Sequence, residues 1–94
     1  MNSATRQLLV ELGQAPDSPH LGDFLLGMAN ATSGHTCDEE RFLDTPALRA
    51  VLRAMHEAEG EGGEYREPEA DGDDQIYISA SALYSYLSDA WEAA

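Results

Sequence analysis

His20, His35, Cys37 and His56 are the residues of this 94-residue chain whose side chains could hold zinc. His35 and Cys37 form one compact pair. Structural zinc sites use two close pairs, whereas His20 and His56 stand singly and far apart. The expectation is therefore no metal site, with His35 and Cys37 flanking a helix start. Asp71-Gly72-Asp73-Asp74 has the carboxylate density of a calcium loop. Counted from Asp71, an EF-hand needs Gly at its sixth position and Glu at its twelfth. Ile76 and Ala82 stand there, which rejects the pattern. The chain has no lysine, so a P-loop lysine, a Schiff-base lysine and a Ser-x-x-Lys nucleophile are excluded. No Gly-x-Ser-x-Gly elbow occurs. Gly60-Glu61-Gly62-Gly63 puts a carboxylate where a dinucleotide loop would receive phosphate. Carboxylates abound, but a catalytic one needs a pocket that shifts its pKa. A protein that is not an enzyme, with no cofactor, is expected.

Charge is the dominant chemical feature. Eighteen acidic residues stand against five arginines, a formal net charge of −13. Small soluble domains carry a net charge of roughly 2–8 in magnitude. So negative a field repels DNA, RNA and anionic lipid. Leu, Ile, Val and Phe total 17 residues, a share low enough to warn of disorder. Both properties divide along the chain. Residues 57–74 hold nine acids and only Arg66 against them, a net of −8, with four glycines and Pro68. All 17 of those apolar residues lie outside that stretch. The expectation is one small domain over 1–94, with a modest core and a long, mobile acidic loop at about 57–74.

The elements that position these residues follow from apolar spacing and capping. Leu8, Leu9 and Leu12 mark a first helix, with Ser3 as N-cap and Gly13 as its stop. Ser18-Pro19 reads as N-cap and first helical residue of a second, with Leu21, Phe24, Leu25 and Met28 as its stripe. Gly22 and Gly27 lower its propensity by about 1 kcal/mol each and permit close approach of a neighbouring backbone. That helix ends by Ser33-Gly34. Thr36-Cys37-Asp38-Glu39 fits a capping box for a short helix to Leu43, burying Phe42 and Leu43. Thr45-Pro46 opens the strongest helix, with Leu48, Val51, Leu52 and Met55 on one face and Arg49, Arg53 and Glu57 on the other. Gln75-Ile76-Tyr77-Ile78 has strand character. Ser79 or Ser81 caps a last helix from about 80, carrying Leu83, Leu87, Ala90 and Trp91; extension of the strand is the competing reading. The fold class expected is mainly α: four or five short helices, the acidic loop and one short strand.

Tyr84 and Trp91 match the last helical stripe and belong to the core. Tyr77 and Tyr86 lie off it and are candidates for an aromatic hot spot rimmed by acids. Within the acidic run, residues recur at i, i+2: Glu57, Glu59 and Glu61, then Glu67, Glu69, Asp71 and Asp73. In extended chain such residues share a face about 6.6 Å apart. Phosphates along one nucleic-acid strand are spaced about 6–7 Å apart. The candidate partner-binding set is therefore Glu57, Glu59, Glu61, Glu64, Glu67, Glu69, Asp71, Asp73 and Asp74, with Tyr77 and Tyr86. The partner expected is a basic protein or complex that itself binds nucleic acid, stoichiometrically inhibited.

In length, charge and lack of an assembled catalytic site, the chain resembles the class of small acidic phage proteins that inhibit nucleic-acid-binding machinery. DNA mimics and anti-CRISPR proteins belong to that class. The resemblance covers no specific motif and transfers no residue. A looser likeness is to colicin-type immunity proteins, small acidic helical inhibitors of basic nucleases; Asp74-Gln75-Ile76-Tyr77 and Trp91 carry it. The segment between that tyrosine and tryptophan is shorter than in the family, and one tyrosine sits where a pair is expected. The alternative class is a helical regulatory or structural protein that dimerises through an apolar face. Abundant alanine, two isoleucines and no lysine give the coding bias of a GC-rich genome, which hints at a bacterial or phage source. The lone Cys37 requires no oxidising compartment. No run is long enough for a signal peptide or a membrane span, so a cytoplasmic location is expected.

Overall fold

The computed structural model describes residues 2–32, 39–59 and 74–93. Four helices and two strands follow in the order α1 (Ser3–Glu11), α2 (Leu21–Thr32), β1 (Glu39–Leu43), α3 (Pro46–Glu59), β2 (Gln75–Ser79) and α4 (Ala80–Glu92). α2 packs on α4, α1 packs on α3, and β1 pairs antiparallel with β2. The fold is mainly helical, as its apolar spacing requires.

Each helix begins and ends for a local reason. Asn2, one residue before the expected Ser3, caps α1 by accepting the Thr5 N–H at 2.8 Å. At the other end Gly13 adopts φ 81, a conformation open to glycine at no steric cost. Its N–H donates to the Val10 carbonyl and the Gln14 N–H to that of Leu9, the paired bonds of a Schellman stop. The Ser18 hydroxyl accepts the His20 N–H, but regular helix begins only at Leu21, two residues later than Ser18-Pro19 suggests. Thr45 caps α3 as expected, accepting the Leu48 N–H at 3.2 Å. The same hydroxyl donates to Glu11 Oε1 at 2.6 Å, tying the end of α1 to the start of α3. Ser79 caps α4 through the Ala82 N–H.

The expected short helix ending at Leu43 is instead the strand β1. The capping-box residues Thr36, Cys37 and Asp38 lie outside the described residues. The physical reason for a strand is the partner. A lone β2 would leave its backbone N–H and C=O groups unpaired, and β1 satisfies them in the register Glu39↔Ser79, Arg41↔Tyr77 and Phe42↔Ile76. Tertiary pairing outweighs a weak local helix signal. Alternation along β1 then buries Phe42 and turns Leu43 outward, where it is 60% exposed rather than buried as expected.

The core joins Leu8 and Leu9 of α1, Leu21 and Leu25 of α2, Leu48 and Val51 of α3, Ile76 of β2 and Leu83 and Leu87 of α4. Burying each such side chain stabilises the fold by about 1.5–3 kcal/mol. Tyr84 completes it. Its ring meets Phe24 and Phe42 edge-on, each at 6.3 Å between centroids. Burial, together with the negative charge of Glu40, pushes the Tyr84 phenol above its ordinary pKa.

Gly22 has a packing role that Gly27 lacks. A Cβ built at Gly22 would lie 2.5 Å from Cζ3 of Trp91, whereas one at Gly27 meets nothing within 4 Å. The close approach is therefore by an indole ring, where a backbone was expected. Gly22→Ala should cost about 1–3 kcal/mol in overpacking, exceeding its helix-propensity gain of about 1 kcal/mol. Gly27→Ala should gain about 0.5–1 kcal/mol. Urea denaturation followed by circular dichroism measures both; equal stabilisation by the two substitutions would show that Trp91 does not depend on Gly22.

Asp44 and Arg49 form a close ion pair. Arg49 Nε donates to Asp44 Oδ1 at 2.6 Å and its Nη2 to Oδ2 at 2.9 Å, a bidentate fork on partly buried side chains. The hydrogen bond from Arg49 holds the Asp44 carboxyl below its ordinary value of 3.8. A depressed carboxylate contributes stability above that ordinary value and loses it as the pH falls through the folded-state pKa. Asp44→Asn should therefore melt below the wild type at neutral pH, with the gap closing as the pH drops below 3.8. Thermal melts across that range check it; a gap constant with pH would deny the pair its role.

Candidate functional site

The candidate acids divide by position. Glu57 is exposed near the end of α3, and Glu59 is the last residue of that helix. Glu61, Glu64, Glu67, Glu69, Asp71 and Asp73 lie outside the described residues. Asp74 is exposed in the turn before β2 at φ 56, a left-handed conformation that Asp tolerates better than most residues. Its carbonyl accepts the Asp44 N–H at 2.8 Å, extending the β1–β2 ladder by one bond. The start of the acidic stretch is thus on a packed helix, and its end is bonded to the sheet.

The two candidate tyrosines occupy different surroundings. Tyr77 lies on the outer face of the sheet, 50% exposed, with the Arg41 guanidinium 5.1 Å from its ring centroid. That distance is within cation–π range. The register places Arg41 opposite Tyr77, and Leu43 is diagonal to it on the same face. Tyr86 is half-buried on α4 and lines an open groove of about 300 Å³ between α3 and α4. Met55 and Ala58 come from α3; Ala82, Ser85, Tyr86 and Asp89 come from α4. Those α4 positions follow at i, i+3, i+4 and i+7, one helical face beside the core stripe of Leu83 and Leu87. Sequence reasoning singled out Tyr86 but missed Met55, Ala58 and Asp89. The signal was present: Ala58, Ala82 and Ser85 are small, so facing helices leave a hollow there.

A second open groove, about 400 Å³, runs beside Trp91 and is lined by Arg6, Pro16, Asp17 and Pro19 among others. Arg6 and Asp17 are paired across 3.1 Å there on exposed side chains. Trp91 is half-buried against Gly22, and Tyr84 is in the core, as their helical spacing implies.

Among the described residues, no three His, Cys, Asp or Glu side chains converge on a point where a metal could sit. His20 precedes α2 and His56 is on α3, while His35 and Cys37 lie outside the described residues. No described helix is long and apolar enough to cross a membrane. Arg6, Arg41, Arg49 and Arg53 are each engaged with another group of the molecule. The described cations are therefore drawn into internal contacts, while acids such as Glu57 and Asp74 face solvent. No protein-family model matches the chain, and no curated protein or solved structure matches it either.

Proposed function

We propose that this protein binds a basic, nucleic-acid-binding protein or complex and inhibits it by occupying the groove meant for nucleic acid. The observation that carries the reading is the concentration of −8 in residues 57–74, between a packed helix and a paired strand. A charged tail would lose much entropy on docking. A segment held at both ends by folded elements loses less. Carboxylates presented densely attract the same cationic groove that phosphates do, with steering and counterion release as driving terms. Inhibition of a CRISPR effector by a phage-type mimic, or of a nuclease in the manner of an immunity protein, are the two forms this activity takes.

A second reading, a helical protein that dimerises, is favoured by Leu43 and Tyr77 on the outer sheet face. Light scattering at raised salt separates it, since an apolar dimer persists where an electrostatic complex dissolves.

The principal test is displacement of DNA from a panel of basic nucleases and CRISPR effectors, read by electrophoretic mobility. The wild type should release DNA from its target. The variant with Glu67, Glu69, Asp71 and Asp73 all changed to Lys should not. Release should weaken steeply between about 50 mM and 200 mM salt. Equal release by the charge-reversed variant would reduce the acidic stretch to a linker.

A further inference from the structure

We infer that the α3–α4 groove is an anchor pocket for an arginine side chain of the basic partner. The inference rests on the reading above and adds what that reading leaves open: a residue-specific contact beside a diffuse one. Charge density alone attracts any cation, and does not distinguish arginine from lysine.

The groove supplies three features an arginine uses. Met55, Ala58 and Ala82 give apolar walls along which its methylene stem lies. Tyr86 gives an aromatic ring, and a planar guanidinium stacks on such a ring better than an ammonium does. Asp89 gives a carboxylate at the exposed rim. Among the described residues, no side chain is paired with that carboxylate, and no cation lines the groove. The volume of about 300 Å³ admits one long side chain with its hydration and is too small for a helix. Tyr86 and Asp89 are one helical turn apart on α4, so ring and carboxylate face the same space.

Position ties the groove to the acidic stretch. Met55 and Ala58 are on the last turns of α3, the helix that runs directly into Glu59 and the residues beyond. A basic surface steered by the acidic stretch therefore arrives beside the groove. An arginine entering it exchanges hydration for a ring and a carboxylate, and its bidentate geometry fixes the register of the partner.

The test uses fluorescein-labelled octa-arginine and octa-lysine peptides titrated with the full chain, read by anisotropy at fixed salt. The wild type should bind octa-arginine about tenfold tighter than octa-lysine. Tyr86→Leu and Asp89→Asn should each bring that ratio close to one, while Tyr86→Phe keeps it because the ring remains. The acidic-stretch variant described above should weaken both peptides together and leave the ratio intact. Circular dichroism confirms that each variant is folded, and Asp89→Asn, at an exposed position, provides a readout independent of Tyr86 packing. A ratio unaffected by both Tyr86→Leu and Asp89→Asn overturns the anchor while leaving the proposed function standing. Unchanged binding of both peptides by the charge-reversed variant overturns the function instead.

Discussion

The pairing of β1 with β2 is the constraint on which the remaining structure depends. It joins residues 39–43 to residues 75–79 and so closes the intervening chain, α3 included, into one loop. Phe42 and Ile76 meet across it on the buried face, and Phe42 reaches Tyr84 of α4. Tyr84 in turn meets Phe24 of α2. One short ladder therefore sets where α4 begins and which face it offers to α2. It also fixes the end of the acidic stretch at Asp74, whose carbonyl takes the bond from Asp44. A two-stranded sheet is marginal alone; here helices cover one face, and the aromatic contacts join it to the core.

The electrostatics divide into internal and external parts. The five arginines are too few to balance eighteen acids, and those described serve structure. Arg49 locks Asp44 at the start of α3, Arg6 pairs with Asp17 after α1, and Arg41 lies over Tyr77. Each is planar and able to stack or fork, which an ammonium cannot do. Of the described acids, Glu57 and Asp74 are exposed to solvent.

The helices were legible in the sequence, because spacing at i, i+3, i+4 and i+7 marks a buried face directly. Leu48, Val51, Leu83 and Leu87 are buried as that spacing implies, and the Thr45 and Ser79 caps stand where turn chemistry places them. Helix starts were less legible at Asn2 and Leu21, since neighbouring polar residues offer nearly equivalent caps and tertiary packing chooses among them. β1 was not legible. Glu39-Glu40-Arg41-Phe42-Leu43 has one buried residue, and its strand state comes from a partner 36 residues distant in sequence at Arg41↔Tyr77. The reading of β2 as a strand already demanded such a partner, a constraint that local spacing leaves unread. The groove at Tyr86 was half legible: the ring stood off the stripe, but the hollow needs the crossing of two helices to exist.

Trp91 is the chain's single tryptophan, and it rests on Gly22 where α4 crosses α2. Indole emission is therefore a built-in reporter of one seam. It follows the docking of the last helix and carries no signal from other residues. Since α4 also carries Tyr86 and Asp89, a ligand that tilts this helix would shift that emission, whereas one held by surface charge alone would leave it unchanged.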